Sequence, residues 1–347
     1  MKRFEYIRAL EPQQAVMFAT PKDASFIAGG TNLLDLMKIE IETPQKLVDI
    51  MRLELAAVEP TTDGGLRIGA LVTNSDLAAH PLVTAGYPVL ARAMLAGASG
   101  QLRNKATTGG NLLQRTRCYY FYQPDSPCNK RNPGSGCPAI KGENRPLAIL
   151  GTSNDCIAQH PSDMAVAMRL LDAIIETLKA DGTTRQIPIK DFYCLPKDTP
   201  NIETVLETGE LITHIVLPAP IKGMHTYDKV RDRASYAFAL VSCAAVINVN
   251  NQGELETVRL AFGGIGTQPW RNEAVEALLT GTDGNLDIIT QAADLLLKDA
   301  KGRGQNDFKI SLTRRLLKQV IQRALTAKGA QSCHYWTQYC HQNPPKK

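Results

Sequence analysis

No apolar run in this chain is long enough to cross a membrane. The longest, AFALVSCAAVINV, covers Ala237 to Val249; a spanning helix needs roughly 20 residues, so this run reads as a buried strand. Charge of one sign is lacking as well. Lys and Arg number 39 against 34 Asp and Glu, a net charge of +5 spread over 347 residues, and such a balance gives nucleic-acid binding no support. The opening MKRFEYIRAL has neither the apolar core of a secretory signal nor a twin-arginine pair, so any export is expected to depend on a partner. Also absent are a GxGxxG dinucleotide fingerprint, paired C-x2–4-C zinc knuckles and any internal repeat.

What is present is the composition of a soluble globular protein, 44% hydrophobic and 21% charged. A chain of this length buries two or three cores without staples. Eight cysteines without a signal argue for metal or redox chemistry rather than a disulfide scaffold. Cys118, Cys128, Cys137 and Cys156 share one loop-rich region, whereas Cys194, Cys243, Cys333 and Cys340 are scattered.

Periodicity predicts strands at FEYIR, ASFIA, KLVDI and LRIGAL, with helices through EPQQAVMFA, SDLAAH and VLARAMLAGA. From Arg117 to about Arg145 the pattern breaks into Pro, Gly, Asn and Tyr, and a loop this long inside a domain usually has a function of its own. HPSDMAVAMRLLDA reads as a helix opened by Ser162 or Asp163, followed by the strand AIIETLKA. ELITHIVLP predicts an edge strand around 210–218, with PAPIKG behind it as a boundary. HTYDKVRDR, FALVSCAAVINV and ETVRLAFGGIG then read as successive antiparallel strands. Three helices are expected in RNEAVEALLTG, LDIITQAADLLLKDA and SLTRRLLKQVIQRALTA. The polar tail QSCHYWTQYCHQNPPKK is expected to be mobile, and its Cys333, His334, Cys340 and His341 incidental.

Two glycine-rich turns stand out. In FIAGGTNLL, residues 26–34, a strand runs into Gly29 and Gly30 and then Thr31 and Asn32. Such a turn exposes backbone N–H groups in a concave nest suited to a phosphate or pyrophosphate, although a plain strand-to-helix turn reads equally well. In GASGQLRNKATTGGN, Thr107, Thr108, Gly109, Gly110 and Asn111 repeat the chemistry. Two such turns fit a long, two-ended ligand such as a dinucleotide. Asp163 reads either as a helix N-cap or as an acceptor for ligand hydroxyls; Lys229 reads by default as a solvated strand lysine, and GGIG (263–266) as a strand-end turn. The cysteines follow C-x9-C-x8-C-x18-C, and this spacing alone leaves a 4Fe–4S cluster, a zinc site and incidental thiols open.

Taken together, AGGTNLL, RNKATTGGN, HPSD and KVRDRASYAFALV resemble the FAD-binding subunit of the xanthine dehydrogenase family of molybdenum hydroxylases, from Met1 to about Lys328. The four-cysteine insertion more narrowly resembles the flavin subunit of bacterial periplasmic molybdenum aldehyde oxidoreductases, which carries an extra 4Fe–4S cluster. Hydroxybenzoyl-CoA reductase has a comparable insertion and is the nearest confusable relative. The resemblance implies an α+β fold: a two-subdomain FAD-binding domain over 1–220, carrying the cysteine insertion around 112–157, then a C-terminal domain of antiparallel sheet and helices over 221–330, with 331–347 a tail. It further implies that Phe26, Ile27, Ala28, Gly29, Gly30, Thr31, Asn32, Leu33 and Leu34 wrap the FAD pyrophosphate and that Thr107 to Asn111 form a second FAD segment. Asp163 would hold the ribityl or ring side, Ile187 would line the pocket, Lys229 would reach the flavin or its phosphates, and Cys118, Cys128, Cys137 and Cys156 would ligate the cluster. One departure is Thr108, where the family usually has an apolar residue before the paired glycines.

The implied role is electron output from a heterotrimeric aldehyde oxidoreductase. A large partner would hold the molybdenum cofactor that oxidises aldehydes to carboxylic acids, and a small partner with two 2Fe–2S clusters would pass electrons to FAD here. An external acceptor such as a ferredoxin would receive them, and the assembled complex would be exported to the periplasm on a partner's signal, or else stay in the cytoplasm. No residue of this chain stands out as a catalytic acid, base or nucleophile. Rival readings are a stand-alone flavin oxidase and a non-enzymatic zinc-loop protein whose cysteines fold an interaction surface.

Overall fold

Three short parallel strands begin the chain. Strand β1 (Glu5–Arg8), helix α1 (Pro12–Phe18), strand β2 (Ala24–Ile27), helix α2 (Leu33–Lys38) and strand β3 (Lys46–Asp49) follow in the expected order. Because a helix intervenes between β1 and β2, those strands can run the same way, and β3 inserts between them to give the order β1-β3-β2. This structure, a computed structural model, describes residues 1–327. The Cys/His tail and the segment 331–347 lie outside the described residues.

Next come β4 (Val58–Pro60), β5 (Leu66–Gly69) and a series of mostly short helices: α3 (Asn74–Ala79), α4 (Pro81–Gly86), α5 (Pro88–Ala96), α6 (Gly100–Arg103), α7 (Thr108–Leu112) and α8 (Tyr119–Tyr122). A 3-10 turn at Pro138–Ile140 is the other regular piece of the cysteine loop before α9 (Asp163–Leu170). Strands β6 (Ile174–Leu178) and β7 (Thr184–Pro188), helix α10 (Ile189–Phe192) and strand β8 (Leu211–Leu217) complete a five-stranded sheet of order β4-β5-β8-β6-β7. β8 is therefore the central strand, not the expected edge. Its alternation marks one face as buried, and that periodicity carries no information about the number of neighbours. The polar face is covered from both sides: Arg67 of β5 donates to Glu176 of β6 (2.7 Å) and lies 2.7 Å from His214 Nδ1.

The last part is β9 (Met224–Val230), β10 (Val241–Val249) and β11 (Leu255–Gly263), antiparallel in the order β11-β10-β9, followed by α11 (Glu273–Leu279), α12 (Leu286–Leu296) and α13 (Phe308–Thr326). This part matches the expected sheet and helices. β10 is apolar at every position except Ser242 and Asn248, because both of its faces are covered. Val241, Cys243, Ala245 and Ile247 join the core beneath α11 to α13, while Ala244 and Val246 join the core shared with α5, α9 and the five-stranded sheet. β11 ends at Gly263 and Gly264 turns with φ +77°, the strand-end turn expected of GGIG.

Lys309, at the start of α13, is fully buried. Its ammonium donates to the carbonyls of Pro146 (2.8 Å) and Gly264 (2.6 Å) and to Gln159 Oε1 (3.1 Å), so it clips the C-terminal helix to the end of the cysteine loop. Burial, assisted by Arg145, lowers its pKa from 10.5 to about 7. In that window the unfolded chain holds the proton and the folded chain releases it, so stability rises with pH. Thermal melts from pH 7 to 10 should show this rise. Lys309→Met should abolish it, and should lower stability by about 1–3 kcal/mol by stranding buried acceptors.

Candidate functional site

β2 ends at Ile27, and the chain leaves it through Ala28 to Asn32 before α2 begins. Gly30 takes φ +71°, a left-handed conformation that favours glycine. At Gly29 the constraint is steric: a Cβ there would lie 1.8 Å from the carbonyl oxygen of Lys105. The amides of Gly29, Gly30, Thr31 and Asn32 make no hydrogen bond to another protein group among the described residues. Asn32 leaves α2 uncapped, its Oδ1 accepting instead from the backbone N–H of Arg115 (2.8 Å).

The second glycine segment is held from below by its own backbone. The N–H groups of Thr108 and Gly109 donate to the carbonyls of Val72 (2.9 Å) and Ala70 (2.8 Å). Thr107 caps α7 by accepting from Gly110 N–H (3.3 Å). Gly109 packs so closely that a Cβ would sit 3.0 Å from that of Ala70. Thr108, the departure noted above, points inward, where its hydroxyl donates to Val72 O (2.9 Å). That satisfied hydroxyl explains why a polar residue is accepted there. Asn111 Oδ1 accepts from Gln114 Nε2 and Ser162 Oγ, both at 2.6 Å.

Ser162, rather than Asp163, caps α9, accepting from Ala165 N–H at 3.0 Å. Asp163 is thereby left to face Lys229, whose ammonium donates to Asp163 Oδ2 (2.8 Å) and Ala96 O (3.0 Å). The Tyr227 hydroxyl donates to Asp163 Oδ1 (2.5 Å). Burial, and then Asp163, raise the Tyr227 phenol above its ordinary pKa, so it stays a donor. Lys229 is not the solvated lysine its strand suggested: only 4% of its side chain is exposed. The reason is that its strand face turns to α5 and α9 rather than to water.

These pieces border one cleft of about 1020 Å3, which gathers Phe26 to Leu33, Thr107, Gly109, Gly110, Asn111, Asp163 and Lys229. Leu34 and Thr108 are not on its walls. Nor is Ile187, which pairs with Ile175 across β6 and β7 and packs into the main core. Its inward strand face meets the hydrophobic layer. Sequence reasoning missed Arg115, Arg117 and Tyr122, which also line the cleft. Arg117 donates to Tyr122 OH (2.9 Å) and lies 5.1 Å from the Phe238 ring; burial lowers its pKa. The signal was the pair of arginines in RTRCYYFY, easily passed over as loop polarity. Unpaired amides, two glycine-tight walls and a volume at the upper end of the roughly 300–1,000 Å3 typical of ligand pockets together fit FAD.

The four cysteines Cys118, Cys128, Cys137 and Cys156 border a second, small cavity together. The irregular loop around it is knitted by side chains bonding to backbone. Arg131 donates to the carbonyls of Pro124 (2.9 Å) and Gln123 (2.8 Å), and Asn129 bonds Asp155 O (3.0 Å) and Gly136 N–H (2.7 Å). Burial pushes the Cys118 thiol up to about 11 and Cys156 up to about 12, and raises Cys137, so ligation there would have to displace protons. Among the described residues, no three His, Cys, Asp or Glu side chains gather closely enough to hold a single metal ion.

Gly29→Ala should purify folded but flavin-poor, because the added methyl forces the two glycine segments apart; the flavin-to-protein absorbance ratio would show it, and full flavin content would refute the role given to Gly29. Lys229→Met should lower stability by about 3–5 kcal/mol by leaving Asp163 buried without its cation, as a denaturant titration would reveal.

Residues 2–220 match the family described as the FAD binding domain in molybdopterin dehydrogenase, and residues 225–324 match the CO dehydrogenase flavoprotein C-terminal domain. The chain is 55% identical to the aldehyde oxidoreductase FAD-binding subunit PaoB of Escherichia coli K12, over 93% of this chain and 99% of that one. It is 29% identical to the glyceraldehyde dehydrogenase medium chain of Sulfolobus acidocaldarius, over 84% and 85% of the two chains. In fold it is similar to a chain of reconstituted CO dehydrogenase from Oligotropha carboxidovorans, with TM-score 0.72, 24% identity, and 94% and 99% of the two chains covered. With both domain families matched in order and a relative of this identity along nearly its whole length, the chain belongs to the molybdenum hydroxylases as their FAD-binding medium subunit.

Proposed function

We propose that this chain is the electron-output subunit of a heterotrimeric molybdenum hydroxylase that oxidises aldehydes to carboxylic acids. A large partner would carry the molybdenum cofactor and a small partner two 2Fe–2S clusters. The observation that carries the reading is the 55% identity to an aldehyde oxidoreductase FAD-binding subunit over 99% of its length.

Bound FAD would supply the passage between two-electron and one-electron transfer. The chain's own residues bind and orient it. The free amides of Gly29 to Asn32 suit the pyrophosphate oxygens, and Thr107, Gly110 and Asn111 line the same cleft. The ion pair of Asp163 and Lys229 supplies a fixed acceptor and donor at a nearly dry wall. Arg117, Tyr122 and Phe238 line a further side of the cleft.

The four cysteines are read as ligands of a 4Fe–4S cluster. The consideration that favours it is that all four border one cavity, and a cubane takes one thiolate at each of its four irons. Cys128 and Cys137 are only half-buried, which supports a relay towards an external acceptor of ferredoxin type. Export of the assembled complex to the periplasm on a partner's signal completes the reading.

Anaerobically purified protein should contain about four irons per chain and one FAD, and low-temperature EPR should change on dithionite reduction. Zinc without flavin would overturn the whole reading; flavin without iron would remove the cluster and leave the flavin role. Purification of the tagged chain from its native host should bring down a large molybdenum-containing partner.

A further inference from the structure

The flavin cleft and the cysteine cavity share one wall. In the segment Arg115 to Tyr122, the side chains of Arg115, Arg117 and Tyr122 border the cleft, while Cys118, Tyr120 and Phe121 border the cysteine cavity. The two sets interleave over eight residues, so the backbone cannot shift at Cys118 without carrying both arginines with it.

A second tie runs outside the backbone. Glu203 forms ion pairs with Arg115 and, at 2.7 Å, with Lys130, and Lys130 borders the cysteine cavity. Although burial opposes it, Lys130 and then Arg115 hold the Glu203 carboxyl below its ordinary pKa, so it remains the anion between two cations. The Arg115 guanidinium also lies 4.8 Å from the Phe121 ring, and its backbone N–H holds Asn32 at the unpaired amides of the first glycine turn. A continuous set of contacts thus leads from the cysteine loop through Glu203 and Arg115 to Asn32.

Resting on the reading of the cysteines as cluster ligands, we infer that the two sites are thermodynamically coupled through this wall, with Glu203 as the positioning residue: filling the cysteine cavity fixes Arg115 and Arg117 at the cleft and tightens flavin binding. Ligation at Cys118 and Cys128 removes freedom from both ends of the tie, so the flavin has less ordering to impose when it binds. By linkage, flavin must tighten the cluster by the same factor.

The test is FAD titration of the full-length chain, followed by flavin-fluorescence quenching, in iron-free and iron-reconstituted forms of the wild type, Glu203→Gln and Glu203→Asp, with iron counted in each. The wild type should bind FAD at least about tenfold more tightly when reconstituted, a coupling of ordinary size. Glu203→Gln should take up iron but bring that ratio towards one, and Glu203→Asp should restore part of it. A purely structural role would instead weaken FAD equally in both iron states and leave the ratio unchanged, which would overturn the role of Glu203. Normal iron uptake by the wild type with equal FAD affinity in both states would overturn the coupling while the cluster reading stands. Failure to take up iron would remove the cluster reading and the coupling together. The wild-type comparison needs no variant, so it decides the matter even if Glu203→Gln does not fold.

Discussion

Everything at the flavin cleft depends on two backbone segments passing at a distance that no side chain would allow. The turn after β2 belongs to a parallel sheet of the first 50 residues; the segment before α7 hangs from the start of the five-stranded unit. They meet where Gly29 faces the carbonyl of Lys105, with no room for a methyl group between them. Hydrogen bonding of Thr108 and Gly109 to Val72 and Ala70 fixes the second segment from beneath, and the Asn32–Arg115 bond fixes the first from the side. The amides of the first turn are consequently left facing open volume. A ligand rich in oxygen acceptors is the natural means of satisfying them.

The remaining polar wall is assembled from parts far apart in the chain. Asp163 stands at the start of α9 and Lys229 on β9, yet they form a nearly dry ion pair shared with Tyr227. Such a pair contributes little net stability, since desolvation cancels much of the attraction. What it contributes is position: each partner is costly to leave alone, so the two elements are held in register. Ser162 makes this arrangement available by taking over the cap of α9, and it also anchors Asn111 of the second glycine segment.

The cysteine loop is built by a different rule. With little regular structure, it relies on Arg131, Asn129 and Lys130 bonding to backbone carbonyls, Lys130 to that of Pro200 (2.9 Å), and it places four thiols around one apolar-backed cavity. Lys309 ties the far end of the loop to α13. The loop is therefore joined to the C-terminal helix at one end and to the flavin cleft at the other.

Much of this was legible in the residues. The order of strands and helices followed from periodicity and caps, the two glycine turns stood out by composition, and the four cysteines stood out by clustering. Less legible were the central place of β8, the small strand β4, and the short helices α4 and α7, because alternation and propensity report local burial and local backbone preference and carry nothing about partners. Lys229 shows the same limit at a single residue. A lysine on a strand reads as solvated until the packing assigns its face. The amino-acid sequence by itself determined which stretches could make tight turns and buried strands and where thiols cluster, since those follow from side-chain volume, backbone freedom and residue order within a few residues. Only the tertiary structure decided which turns face one cleft, which charge meets which, and that one eight-residue wall serves two sites, because those relations are set by long-range packing that brings Asn32, Arg115, Lys130, Asp163, Glu203 and Lys229 together from across the chain.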